Sequence, residues 1–96
     1  MTPDQQTKLI EALNHREHLL EINFFGGDQA FVRARSVLTG QVSSMVLEIT
    51  EVQLYAWAVE GMVIQNAMSN LSTEEREFLM TGIRSEEWDI ISSEAE

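Results

Sequence analysis

The sequence predicts an α+β fold: an N-terminal helix, one antiparallel β-hairpin, and three to four short helices packed on the hairpin's apolar face. Three observations carry this expectation. Helix signals alternate at close range through the last third: Gly61-Met62 reads as a stop, Ser72-Thr73-Glu74-Glu75 as a start, Gly82-Ile83 as a stop and Ser85-Glu86-Glu87-Trp88 as a start. Two stretches rich in β-branched and apolar residues, Ala30 to Val37 and Val42 to Ile49, flank Leu38-Thr39-Gly40-Gln41. The chain opens on Thr2-Pro3-Asp4-Gln5, a capping box with proline at the first helical position.

From that start, Leu9, Leu13 and Leu20 fall near one helical stripe with Ile10 beside it, and Lys8, Glu11, His15, Arg16 and Glu17 take the other face. The segment Leu19 to Phe25 also alternates like a strand. The expectation is helix to about Ile22, stopped before Gly26-Gly27, so that 1–28 forms an N-terminal helical extension.

The hairpin occupies 29–50. With Thr39-Gly40 as the turn, Ala34 faces Met45, Val32 faces Leu47 and Ala30 faces Ile49, all on one face. Arg33, Arg35, Ser44 and Glu48 fall on the other, the sorting that a one-sided antiparallel sheet requires. A longer loop with Gly40 at positive φ is an equal alternative. A lone hairpin is barely stable in water, so helices must cover its apolar face.

The short-helix region spans 51–91. Thr50 with Gln53 caps a helix that buries Leu54, Trp57 and Ala58 and ends at Gly61, where Met62 can make the hydrophobic contact of a C-terminal cap. Ile64, Ala67, Met68 and Leu71 carry helical spacing. Ser72 with Glu75 opens a helix that buries Phe78 and Leu79. Ser85 opens a last one carrying Trp88 and Ile91, and 92–96 frays.

Ninety-six residues, 44% of them hydrophobic, make a single small domain with a thin core. The polar N-terminus reads as neither a secretory signal nor a transit peptide, no apolar run is long enough to span a membrane, and there is no cysteine. A cytoplasmic location in a bacterial host cell follows as the expectation. Sixteen acidic side chains oppose six basic ones, for a net charge of -10. Residues 71–96 carry net -6 of this, residues 1–70 net -4. Such a surface disfavours direct nucleic-acid binding and anionic membranes and attracts basic protein surfaces.

No catalytic constellation is expected: there is no nucleophile elbow, no glycine-rich phosphate loop, and both histidines sit away from any Ser-centred motif. Glu74-Glu75 and Glu86-Glu87 follow helix caps, where the macrodipole favours carboxylates without any acid–base role. Glu11, His15 and His18 share a helical face but lack a further ligand and outer-shell partners, so neither metal nor cofactor is assigned.

Gly40-Gln41-Val42, Leu47-Glu48-Ile49-Thr50, Gln53-Leu54-x-x-Trp57 and Ile64-Gln65-x-Ala67-Met68 resemble a recurrent arrangement. Its most specific parts are Arg76-Glu77-Phe78-Leu79-Met80-Thr81-Gly82 and Glu86-Glu87-Trp88-Asp89. Together, from about Arg33 to Ile91, they are similar to a family of small uncharacterised proteins of tailed bacteriophages and prophages. This chain departs from the pattern at Arg84-Ser85, where Thr-Pro is expected, and in a slightly longer loop at Val59-Glu60-Gly61. Residues 1–32 lie outside the resemblance. It implies a phage or prophage origin and no catalytic residues.

The expected function is a non-enzymatic interaction protein that binds a host or phage protein. The candidate partner-binding residues are Glu74, Glu77, Glu86, Asp89, Trp57 and Trp88: acids projecting from short helices, and tryptophans that serve either as contact anchors or as core. Two alternatives stand beside it. One is an acidic nucleic-acid mimic that inhibits a host defence nuclease or the transcription machinery. The other is a small self-associating structural phage protein, a homodimer paired through an unpartnered sheet edge.

Overall fold

The computed structural model describes residues 1–84. The class is α+β, with elements α1 (Pro3–Asn14), β1 (Leu19–Phe25), β2 (Gln29–Arg35), β3 (Val42–Leu47), α2 (Glu51–Ala58), α3 (Ile64–Ala67) and α4 (Thr73–Thr81). The strands form one antiparallel sheet in the order β1-β2-β3. The expected last helix, with Trp88, Glu86 and Asp89, and the tail 92–96 lie outside the described residues.

All three capping boxes form. Thr2 with Gln5, Thr50 with Gln53 and Ser72 with Glu75 each exchange reciprocal side-chain and backbone hydrogen bonds, satisfying N–H groups that have no partner within the helix. α3 is shorter than its apolar spacing suggests. Met68 leaves helical geometry at φ -132°, yet Ile64, Ala67, Met68 and Leu71 are all buried. Met62 stays largely in solvent after Gly61.

Two expectations need correction. The N-terminal helix ends at Asn14, and Leu19 to Phe25 is a strand, so the sheet has one strand more than a hairpin. Gly26-Gly27 is no helix stop. It is the β1–β2 turn, with both glycines at positive φ (67° and 80°), which two-glycine turns adopt without a Cβ penalty. Pairing with β2 decides the segment, a tertiary effect that outweighs local helical preference. Leu20 is the extra residue of a bulge: Leu19 opposes Ala34 and Glu21 opposes Arg33. Leu19, Ile22 and Phe24 therefore pack on the core while Leu20 is turned outward, 38% exposed.

The β2–β3 register also differs from expectation. Ala30 opposes Leu47, Val32 opposes Met45 and Ala34 opposes Ser43. The loop is wider than a two-residue turn. The Ser36 hydroxyl accepts from the N–H groups of Leu38 and Thr39, both at 3.2 Å, and the Ser36 carbonyl accepts from Gly40 at 2.9 Å. The shift is by an even number of residues, so every side chain keeps its face. Ala30, Val32, Ala34 and Leu47 are fully buried, and Arg33, Arg35, Ser44 and Glu48 are exposed, as the pattern requires.

The core lies between this sheet and the helices, centred on Val32, Leu47, Leu54, Met68, Phe78 and Leu79. Asn70 ties two connections together: its Oδ1 accepts from Gln53 Nε2 at 2.9 Å and its Nδ2 donates to the Glu48 carbonyl at 2.6 Å. The C-terminus of α4 is stitched to the sheet side. Its Leu79 carbonyl accepts from His18 Nε2 at 2.6 Å and its Thr81 carbonyl from the Val37 N–H at 3.0 Å. A carbonyl oxygen only accepts, so the proton sits on Nε2 of His18.

A candidate protein-docking trough

α1 crosses beside β1 on the core side of the sheet, and the two do not close completely. Two adjoining depressions of about 240 and 190 Å³ lie between them and share Ile10, Leu13 and Ile22. Gln6, Phe24 and Glu51 stand at one end, Asn14, Leu20 and Glu21 at the other. The lining is mostly aliphatic and aromatic. Its polar members are amides and carboxylates, with no lysine or arginine among them.

Local sequence explains why the trough stays open. Leu9 reaches the core and is buried, while Ile10, one position on, points along the flank of α1 and is 60% exposed. The bulge at Leu20 swings an apolar side chain out at the start of β1. β1 is an outer strand. Among the described residues, its backbone hydrogen bonds run to β2 and, at Leu19, back to Arg16. The edge away from β2 has no backbone hydrogen bond from the described residues, whereas at the other outer strand the Ser44 carbonyl accepts from the Arg84 guanidinium at 3.4 Å.

The residues singled out from sequence are dispersed. Trp57 is only 7% exposed and packs in the core. The Arg16 guanidinium lies 3.9 Å above its ring, and burial lowers the Arg16 pKa from its ordinary value. Trp57 thus fills the structural role that sequence weighed against contact. Arg16, expected on a solvated face, is instead the lid of that ring. On α4, Glu74 is exposed, Glu75 is engaged in the cap, and Glu77 is half-buried with its carboxylate 3.4 Å from the Thr81 hydroxyl. Glu86, Asp89 and Trp88 lie outside the described residues.

Glu11, His15 and His18 do not share a helix face, because α1 ends at Asn14: Glu11 lies within it, His15 is its C-cap, and His18 is beyond it and turned to Leu79. Among the described residues, no three His, Asp or Glu side chains are grouped to hold a metal ion. No described helix is long and apolar enough to cross a membrane. The trough was not visible in sequence, although Ile10, an isoleucine beside the buried stripe, was a usable signal.

Comparisons with protein-family models, with curated proteins and with solved structures return no match.

Proposed function

We propose that this chain is a non-enzymatic, phage-encoded interaction protein that binds a host or phage protein through the trough between α1 and β1. One observation carries the reading: a continuous, mostly apolar channel with Ile10 largely in solvent and Leu20 partly exposed at its rim. A single exposed isoleucine is ordinary on a protein surface, but here it borders a contiguous apolar channel, and contiguous exposed apolar surface marks sites of association. The acidic surface supports the same reading, because net charge of -10 draws basic protein surfaces toward the channel. The phage origin rests on the resemblance of the Arg-Glu-Phe-Leu-x-Thr-Gly and Glu-Glu-Trp-Asp segments.

The test is affinity capture from bacterial lysate at physiological salt, run in parallel with the wild type and an Ile10→Glu/Leu20→Glu variant. The expected result is a protein retained by the wild type and lost by the variant, with both baits equally folded. Identical capture by both baits would overturn the reading. So would capture of nothing by the wild type.

A further inference from the structure

We infer that the trough takes an extended peptide segment of the partner, which adds as a fourth strand to the free edge of β1. This rests on the docking role proposed above and specifies its occupant. The trough runs beside β1, from Phe24 and Glu51 at one end to Leu20 and Glu21 at the other. Among the described residues, its β1 wall carries a row of backbone donors and acceptors with no backbone partner, with α1 as the opposite wall. That pairing of a helix with an open sheet edge is the geometry of strand addition: main-chain hydrogen bonds supply affinity, and pockets for alternate side chains supply specificity.

The side-chain chemistry of the occupant follows from register. Successive residues of a strand point to opposite faces. Residues of the added strand that lie beside Ile22 and Phe24 face α1, where Leu9, Ile10 and Leu13 await apolar groups. Their neighbours emerge on the outer face of the sheet, next to Glu21 and the exposed Phe25. Glu21 there meets Arg33 through Oε1 at 3.6 Å and accepts from Asn23 Nδ2 through Oε2, with both side chains of the ion pair still exposed to water, so its carboxylate keeps lone pairs open to a second cation. Glu51 offers another at the far end, and no cation lines the channel. The occupant is therefore an extended segment alternating apolar and basic residues, not an acidic one. A second copy of this chain fits poorly, because each copy brings the same charge of -10.

Selection of random peptides displayed on phage, with the intact chain as target and the Ile10→Glu variant for counter-selection, tests this. The enriched sequences should alternate Val, Ile or Phe with Lys or Arg. A synthetic copy of an enriched peptide, N-methylated on every second amide, should lose about tenfold or more in affinity in one methylation frame and little in the other, because only one frame faces β1. Enrichment of sequences with apolar residues at helical spacing would overturn strand addition. Enrichment of acidic sequences would overturn the charge argument. A dimer by light scattering whose dissociation follows Ile10→Glu would make the occupant a second copy and also overturn the inference. Failure of all selections while Ile10→Glu still abolishes lysate capture would sink strand addition and leave the docking role standing. Capture that ignores Ile10→Glu would end both.

Discussion

A Cβ on Gly82 would sit 2.5 Å from the carbonyl oxygen of Arg35. Gly82 is the left-handed C-cap of α4, at φ 73°, and its N–H closes on the Phe78 carbonyl at 2.8 Å. One residue thus ends the helix and lets it abut the last residue of β2. Both demands call for the smallest side chain, by conformation and by space.

Gly82→Ala is accordingly expected to destabilise the fold by about 2 kcal/mol or more, since strain and a backbone clash add. Urea denaturation followed by circular dichroism measures it. A loss well under that value would show that α4 shifts freely away from β2.

The contact between His18 and Leu79 is the second stitch at the same helix end. His18→Ala should cost about 1 to 1.5 kcal/mol, the range of a single partly buried hydrogen bond. His18→Gln, which restores a donor, should recover part of it. Equal losses for both variants would mean that ring packing, and not the hydrogen bond, is what matters.

Arg16 over Trp57 makes a spectroscopic prediction. In a Trp88→Phe background, Arg16→Ala should shift Trp57 emission to the red as water reaches the ring, at a cost of about 0.5 to 1 kcal/mol. Trp57→Ala, which empties part of the core, should cost about 3 to 5 kcal/mol. Unchanged emission in the Arg16 variant would mean that the guanidinium does not shield the ring.

The Glu21–Arg33 pair spans β1 and β2 at 3.6 Å with both side chains more than 40% exposed. A double-mutant cycle with Glu21→Gln and Arg33→Gln should give a coupling below about 1 kcal/mol that fades in high salt. A larger, salt-insensitive coupling would contradict the view that Glu21 keeps capacity for a partner's cation.

What sequence made legible was whatever is local. The boxes at Thr2, Thr50 and Ser72 involve groups three residues apart, so the side chains alone announce them. The two faces of β2 and β3 were legible for the same reason, since alternation needs no knowledge of the loop. The register was not, because it depends on how Ser36 folds its loop back on itself. Leu19 to Phe25 was ambiguous because its apolar residues suit either period. The Gly26-Gly27 pair that follows was the better guide: glycine pairs between alternating segments mark a hairpin more often than a helix end.

The candidate site was the least legible part. The trough exists because α1 and β1, joined by a short turn, fail to cover each other, and neither Ile10 nor Leu20 announces that alone. The tryptophans and the acids of α4 drew attention by residue type. Trp57 is occupied by the core and by Arg16, and Glu75 by its own cap.

The most direct test of the account is the affinity of wild type and Ile10→Glu for the partner retrieved by capture, measured by titration calorimetry. Ile10 is 60% exposed, so the substitution should leave the melting temperature close to that of the wild type while placing a carboxylate in the apolar channel. The account predicts an affinity at least about tenfold weaker, the loss of roughly 1.4 kcal/mol or more of apolar contact. Wild-type affinity in a folded Ile10→Glu variant would contradict it and move the interface away from α1 and β1.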